Sequence, residues 1–146
     1  MLPPSALRNI EAAIQESETR HYGELRFVVE THLGLAALIH GMTARQRAIE
    51  LFSQLGVWDT EHNSGVLIYL LLADRDVEII ADRGINNRVG NAEWELICKK
   101  MEQAFRQQRF EAGVIDGIHA ISELLVRHYP ASSNNINELP DRSIVL

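Results

Sequence analysis

Hydrophobic and polar positions along the chain follow two patterns, one typical of helices and one typical of buried strands. Four segments repeat apolar residues every three or four positions, as Leu7, Ile10 and Ile14 do, which is the spacing of an amphipathic helix. Three shorter segments are continuously apolar or β-branched, which indicates buried strands. The predicted helices are the N-terminal residues up to 19, then 44–55, 92–108 and 111–128, and the predicted strands are 24–31, 65–72 and 77–81.

The order of these elements predicts the fold class. A strand–helix–strand connection of this length places its two strands parallel, whereas the short turn at residues 73–76 makes the third strand antiparallel. Helices then cover both faces of a small mixed sheet. The sequence therefore predicts an α/β protein with a three-layer αβα sandwich at residues 1–130. The tail at residues 131–146 is rich in Ser, Asn and Pro, and we expect it to be disordered.

Composition narrows the class of protein. The chain has 146 residues, the size of one ordinary domain, and a formal net charge of −6. That charge argues against a nucleic-acid partner, because phosphates require a basic face. The N-terminus lacks the features of a signal peptide, and the longest apolar run, residues 66–73, is far shorter than the roughly 20 residues that span a bilayer. We therefore expect a soluble, cytoplasmic protein that does not insert into membranes.

Polar side chains gather, in this topology, at one end of the predicted sheet. Glu24 begins the first strand, Asn63 precedes the second, and Asp82 follows the antiparallel third strand. Carboxylate and carboxamide oxygens suit Ca²⁺ or Mg²⁺ rather than zinc or copper, and a divalent cation relieves the repulsion between crowded carboxylates. The alternative for each residue is a solvated loop position or a helix cap. The candidate metal ligands are Glu24, Asp59, Asn63, Asp82 and Glu93.

Other catalytic motifs are missing from the sequence. It contains no EF-hand loop, no phosphate-binding glycine loop, no G-x-S-x-G motif and no histidine pair with metal-ligand spacing. His62 is the histidine nearest the predicted site, although a loop histidine is more often simply exposed. Arg83 and Arg88 flank the site and are the candidates for phosphate binding. The single cysteine, Cys98, cannot form an internal disulfide, and we expect it to be a buried or half-buried thiol.

The hairpin and the residues after it carry a family resemblance. The stretch runs from an Asn-x-Gly-Val-Leu strand through a charged turn to an Asp-x-Gly-Ile and a Val-Gly that an aromatic residue soon follows. Its residues are Asn63, Gly65, Val66, Leu67, Arg75, Asp82, Gly84, Ile85, Val89, Gly90 and Trp94.

This pattern resembles the TPM-domain family, which includes thylakoid-lumen proteins linked to photosystem II repair and many bacterial proteins. Glu24 also resembles the start of the family's first strand, and the resemblance covers residues 10–128. It implies an αβα sandwich and a divalent cation, usually calcium, near the end of the sheet. Acid phosphatase activity has been proposed for plant members of the family.

Three functions are consistent with these observations. The leading hypothesis is a domain that binds a divalent cation, with calcium preferred over magnesium. The alternative is a metal-dependent acid phosphatase for phosphomonoesters, in which Arg83 or Arg88 holds the phosphate. The third is an interaction module, because residues 32–41 are apolar for a segment that is either a loop or a short helix. If Leu33, Leu35 and Leu38 are exposed, we expect a protein interface there, and their burial would weaken that hypothesis.

Overall fold

The computed structural model describes residues 2–131, 141 and 143–146. Within these ranges the chain forms six helices and four strands, in the order αβααββαααβ. The helices are α1 (Pro4–Glu18), α2 (Leu35–Ile39), α3 (Ala44–Gln54), α4 (Arg83–Val89), α5 (Asn91–Arg106) and α6 (Phe110–His128). The strands are β1 (Glu24–Glu30), β2 (Gly65–Leu71), β3 (Asp76–Ala81) and β4 (Ile144–Val145).

The four strands form one mixed sheet with the order β3-β2-β1-β4. β1 pairs in parallel with β2, with Glu24 opposite Gly65, and β2 pairs antiparallel with β3, with Val66 opposite Ala81. The parallel crossover and the antiparallel hairpin both confirm the topology predicted from the sequence. The start of β1, the start of β2 and the end of β3 therefore lie at the same end of the sheet.

Helices pack on both faces of this sheet, which confirms the αβα sandwich. On one face, Phe27 and its alternate neighbours on β1 pack in a core with α1, α5 and α6, for example with Ile10 and Phe105. On the other face, Val28 packs in a smaller core with Leu51 of α3. Because successive strand residues point to opposite faces, β1 and β2 are buried along nearly their whole length.

Local sequence signals explain where several elements begin and end. Thr43 and Gln46 form the predicted capping box at the start of α3, in which the Thr43 hydroxyl accepts from the Gln46 amide at 3.1 Å. The sequence did not predict α4, whose N-terminus is capped by the Asp82 side chain. The sequence analysis assigned no element to residues 83–89.

The C-terminal tail differs in part from the sequence-based expectation of disorder. Residues 132–140 and 142 lie outside the described residues. Ile144–Val145, however, form β4 and pair in parallel with Val28 and Val29 of β1. β-Branched residues suit this position, because the β1 edge away from β2 offers unpaired backbone groups.

Within the described ranges, none of the helices combines the length and the apolarity that crossing a membrane requires. The cytoplasmic location stays a prediction.

Candidate functional site

Backbone pairing brings three of the predicted ligands to one end of the sheet. The Glu24 amide donates to the Ser64 carbonyl at 3.2 Å, and the Asp82 amide donates to the Gly65 carbonyl at 2.9 Å. Glu24 and Asp82 therefore flank the start of β2, and Asn63 lies two residues before that strand. The topology argument made from the sequence holds for these three positions.

Asp82 has one carboxylate oxygen engaged and one without a partner. Its Oδ1 accepts a hydrogen bond of 2.8 Å from the Arg83 amide, which is the N-terminal cap of α4. Its Oδ2 is shielded from solvent and has no hydrogen-bond partner within the described part of the chain. A buried carboxylate oxygen without a donor is costly, and an unseen water or cation commonly accounts for one.

Backbone oxygens lie beside the start of α4, close to Asp82. Asn63 adopts a left-handed conformation, with φ of 52°, and its carbonyl accepts from the Ile85 amide at 3.3 Å. A Cβ atom added at Gly84 would be 2.5 Å from the carbonyl oxygens of both His62 and Asn63. The absence of a side chain at Gly84 therefore allows two carbonyls of the 62–63 turn to approach the helix that Asp82 caps.

Glu24 is buried among other carboxyl groups that the sequence analysis missed. Glu18, at the end of α1, accepts the Leu25 amide at 2.8 Å through its Oε2. Burial, together with side-chain hydrogen bonds to Asp141 and Glu24, raises the pKa of Glu18 well above the usual carboxyl range. Glu18 could have been suspected from the short α1–β1 connection, but nothing in the sequence pointed to Asp141.

Asp59 and Glu93, the other two predicted ligands, have exposed side chains. Asp59 is exposed in the turn before β2, and Glu93 is exposed in the first turn of α5. Neither side chain forms a hydrogen bond or an ion pair with Asp82 in the described ranges. Across the same residues, no group of three or more His, Cys, Asp or Glu side chains is arranged to hold a metal ion. The role of all five predicted ligands stays a prediction.

The two arginines predicted to bind phosphate have different surroundings. The side chain of Arg83 is exposed. Arg88 donates from its guanidinium to the His128 carbonyl at 2.8 Å and lies 4.6 Å from the centre of the Tyr129 ring. Burial raises the pKa of Tyr129, Arg88 opposes that rise, and Asp82 adds to it. Arg88 therefore fastens α4 to the end of α6, close to Asp82.

His62 is exposed at the rim of the same region. Its ring lies 5.5 Å from the ring of Tyr22, in a tilted arrangement. Tyr22 is itself linked to α6, because its amide donates to the Tyr129 carbonyl at 2.7 Å. Tyr22, Tyr129 and His62 therefore lie around this end of the sheet, and their arrangement does not identify a catalytic nucleophile.

A groove of about 450 Å³ lies between β3 and α5, and its rim is charged. β3 lies at an edge of the sheet, so its backbone groups on the side away from β2 have no neighbouring strand. Two side chains of α5 interact with this free side of β3: the Cys98 thiol with the Ile79 backbone and the Glu102 carboxyl with the Val77 backbone. Burial, with the nearby charges of Glu78 and Glu102, raises the pKa of Cys98 to about 12. The groove is therefore partly filled by groups that protect a sheet edge.

The segment at residues 32–41 contains the short helix α2. Leu33 is buried, with 7% of its surface exposed, and it joins the smaller core. Leu35, Leu38 and Ile39 are exposed by 75%, 59% and 72%. We call these three side chains the α2 apolar patch. Two of the three leucines named in the sequence analysis therefore meet the condition for an interface, and Leu33 does not.

The fold and the polar end of the sheet identify the class of protein: an αβα sandwich with a candidate oxygen-ligand site beside Asp82. The chain belongs to the TPM domain family, whose model matches residues 1–124. This confirms the resemblance drawn from the hairpin residues. A comparison with curated proteins finds no match.

Solved structures share the fold. The chain is 27% identical to the BA42 protein of the psychrophilic bacterium Bizionia argentinensis, with a TM-score of 0.89, covering 100% of this chain and 96% of that one. The N-terminal domain of a P. gingivalis protein is 19% identical, with a TM-score of 0.71 and coverage of 90% and 82%. The N-terminal domain of the cg2496 protein of Corynebacterium glutamicum is 13% identical, with a TM-score of 0.65 and coverage of 94% and 82%. The last two likenesses concern the fold alone.

Proposed function

We propose that this TPM domain binds a divalent cation at the end of the sheet where Asp82 caps α4. The observation that carries the proposal is the Oδ2 atom of Asp82, which is shielded from solvent and has no hydrogen-bond partner in the described ranges. A cation at this oxygen would remove the cost of leaving a carboxylate oxygen unpaired. The role of the cation would be structural, because it would tie the turn before β2 to the start of α4.

The donors available around Asp82 favour calcium over magnesium. They are one carboxylate oxygen and the backbone or side-chain oxygens of the turn at His62 and Asn63. Calcium accepts irregular sets of carbonyl, carboxylate and water ligands, whereas magnesium demands a near-ideal octahedron. Glu24, Asp59 and Glu93 stay in the proposal as further ligands whose contribution must be tested one at a time.

The proposal can be tested by titrating ¹⁵N-labelled protein with calcium chloride and then with magnesium chloride. We expect amide shifts centred on Asn63, Asp82 and Gly84, and a smaller response to magnesium. Asp82→Asn keeps a capping oxygen but removes the charge, so it should weaken binding by about tenfold or more. Asp74→Asn is the matched control, since Asp74 is exposed in the β2–β3 turn at the opposite end of the sheet.

Two results would contradict the cation proposal. One is an unchanged spectrum at millimolar calcium. The other is equal calcium affinity in Asp82→Asn and the wild type. Glu24→Gln, Asp59→Asn and Glu93→Gln, measured in the same way, decide which of the other predicted ligands take part.

A metal-dependent phosphatase remains the alternative function, as the resemblance to the TPM-domain family suggests. The geometry favours it less than cation binding, because Arg88 already donates to the His128 carbonyl and covers Tyr129. An assay with p-nitrophenyl phosphate tests it directly. Equal low activity in the wild type and in Asp82→Ala would exclude a phosphatase centred on Asp82.

A second function, docking, is favoured by the exposure of the α2 apolar patch. Three large aliphatic side chains with more than half of their surface in water form an unusual cluster on a single helical turn. We propose that this patch is a docking surface. The substitution Leu38→Asp should abolish docking while leaving the fold intact, because Leu38 contributes little to either core.

A further inference from the structure

We infer that the groove between β3 and α5 binds an extended basic peptide, which adds to the sheet as a further strand along β3. The partner is a protein segment with lysine or arginine side chains, recognised through its backbone and its charge. This inference is independent of the functions proposed above, because it concerns the free edge of the sheet.

β3 presents backbone groups to such a strand along the whole groove. The Asp82 amide donates to the Gly65 carbonyl of β2 at 2.9 Å, and the direction of backbone groups alternates along an antiparallel strand. The amides and carbonyls of Val77, Ile79 and Ala81 therefore point away from β2. All five residues from the first of these to the last line the groove. At about 3.3 Å per residue, this edge has room for about five residues of an extended peptide.

Side chains of α5 protect this edge only in part. The backbone of Val77 lowers the pKa of Glu102, and the backbone of Ile79 lowers that of Cys98, which identifies the two backbone amides as donors to these side chains. In the described part of the chain, no group donates a hydrogen bond to the outward carbonyls of the same two strand residues. The amides of an incoming peptide would pair with those carbonyls.

The groove is acidic at the end where Val77 lies. Asp76 begins β3, and Glu102 of α5 lies close enough to it for the pKa of Glu102 to be raised. Glu78 points to the opposite face of the sheet from Val77, because successive strand residues alternate, and 21% of its side chain is exposed. Carboxyl groups therefore lie on both sides of the position of the added strand, and a basic side chain pointing either way meets one.

The cations near the groove leave these carboxyl groups undercompensated. Arg45 makes one contact of 3.9 Å with Glu78 and is 60% exposed. Arg106 is exposed on α5, and on the same helix Lys99 lies one turn after Glu95, with both side chains exposed. Burial and a neighbouring aspartate raise the pKa of both half-buried glutamates, and the two arginines oppose this rise only in part. A basic peptide supplies the missing positive charge.

Backbone pairing and charge recognition support each other at this site. A lysine or arginine of the peptide that pairs with Glu102 draws its carboxylate away from the Val77 amide. That amide is then free to donate to a carbonyl of the peptide, as in other strands added to a sheet edge. An acidic peptide would instead meet like charges in a half-buried site.

Three synthetic peptides test the inference. The first alternates lysine and valine over ten residues, the second replaces every lysine with glutamate, and the third repeats the first with alternate backbone amides N-methylated. We expect the full chain to bind the first peptide, and to bind it less as salt is added. The other two should bind at least about tenfold more weakly, because one is repelled and the other has lost the donors for the edge carbonyls. Fluorescence anisotropy of labelled peptides measures the affinities.

Two variants and one matched control locate the binding site. Glu78→Gln and Glu102→Gln each remove one negative charge from the groove, so each should weaken binding of the lysine peptide about fivefold. Glu123→Gln makes the same change at an exposed position of α6 and should bind like the wild type. Amide shifts of ¹⁵N-labelled protein should centre on Val77, Ile79 and Ala81. Circular dichroism checks that the variants fold.

Several outcomes would overturn the peptide inference. They are absence of binding by the lysine peptide, equal binding by the glutamate or the N-methylated peptide, and equal affinity in Glu102→Gln and the wild type. Amide shifts along β3 that grow with protein concentration, without any peptide, would assign the groove to a second copy of the chain instead. None of these results bears on calcium binding, which is measured separately through Asp82→Asn.

Discussion

Glu18, at the end of α1, lies beside Glu24, at the start of β1, inside the protein, and this proximity adds to the effect of burial in raising the pKa of the Glu18 carboxyl. Burial makes the largest contribution to the raised pKa of Glu18, and the hydrogen bonds to Asp141 and Glu24 add to it. Glu18 belongs to α1 and Glu24 to β1, and the same Glu18 side chain also accepts the Leu25 amide. The pair therefore fixes the entry into the sheet in a way that depends on pH.

The Glu18–Glu24 pair predicts that stability declines as pH rises. The pKa of Glu18 is higher in the folded than in the unfolded protein, so protonated Glu18 stabilises the fold. This contribution to the free energy of unfolding is complete below the ordinary carboxyl pKa of about 4.3 and is lost progressively as the pH rises towards the native pKa. Glu18→Gln mimics the protonated form. We expect the variant to lose less stability than the wild type between about pH 5 and about pH 9, measured by urea unfolding. Parallel pH profiles for the two proteins would contradict this assignment.

His21 predicts a dependence of the opposite sign at acid pH. The residue is fully buried, its Nε2 lies 2.7 Å from the Ser17 hydroxyl, and burial lowers its pKa to about 4. Neutral His21 therefore contributes roughly 3 kcal/mol to the free energy of unfolding. This contribution is complete above the ordinary histidine pKa of about 6.5 and is lost as the pH falls to the native pKa of about 4.

Two variants separate the titration of His21 from its packing. His21→Gln removes the titrating group and should flatten the fall in unfolding free energy between about pH 6.5 and about pH 4. Ser17→Ala is the control, since it removes a hydrogen bond worth about 1 kcal/mol but leaves the imidazole able to titrate. An unchanged acid slope in His21→Gln would show that other groups cause it.

Gly65 is predicted to tolerate no side chain. A Cβ atom there would lie 2.0 Å from the carbonyl oxygen of Val57, which is backbone and cannot move aside cheaply. Gly65→Ala should lower the unfolding free energy by about 3 kcal/mol. The control is Gly34→Ala, where a Cβ would meet nothing within 4 Å. A loss in Gly65→Ala no larger than that in Gly34→Ala would mean that the turn before β2 adjusts freely.

The sheet could be predicted from the sequence because its signals are local. The apolar runs of β2 and β3, the turn between them and the crossover length together determine which ends meet, and that was enough to bring Glu24, Asn63 and Asp82 together. The contacts of Glu24 could not be predicted in the same way. They depend on how α1 and the C-terminal region fold back on β1, which places Asp141 beside Glu18.

The sequence also did not determine which side chains of residues 32–41 are exposed. Leu33 and Leu35 are the same residue type two positions apart, yet one joins the smaller core and the other is 75% exposed. Five helical residues are too few for a periodic pattern to reveal which side faces the protein. α4 was likewise not predicted, because it has only seven residues, of which Ile85 alone is buried, so no periodic pattern marks it.

Glu30 is predicted to hold α3 against the sheet. Its carboxylate accepts two hydrogen bonds from Arg47, at 3.0 and 3.3 Å, and one from the Tyr69 hydroxyl at 2.7 Å. Burial alone would raise the pKa of Glu30, but the hydrogen bonds from Arg47 and Tyr69 and the positive charge of Arg47 have a larger combined effect and lower it. Glu30→Gln should cost about 2 kcal/mol of unfolding free energy, and Tyr69→Phe about 1 kcal/mol.

A double-mutant cycle tests this network. Because Glu30 and Tyr69 share a hydrogen bond, the double variant Glu30→Gln/Tyr69→Phe should lose less than the sum of the two single losses. Fully additive losses, measured by urea unfolding, would show that the two side chains act independently.

Cys98 is predicted to react slowly with thiol reagents in the folded protein. Its thiol is half-buried, engages the Ile79 backbone, and has its pKa raised to about 12 by burial and by the negative charges of Glu78 and Glu102. Since the thiolate is the reactive form, a disulfide reagent at about pH 8 should modify the native protein at least about a hundredfold more slowly than the urea-unfolded chain. Glu102→Gln removes one of the three negative charges, those of Glu78, Glu102 and Asp76, that raise the pKa of Cys98, so it should raise the native rate. Glu95→Gln changes an exposed neighbour on α5 and should leave the rate nearly unchanged. Equal rates in the native and unfolded states would show that the groove beside β3 is open to reagents and that Cys98 does not protect the sheet edge.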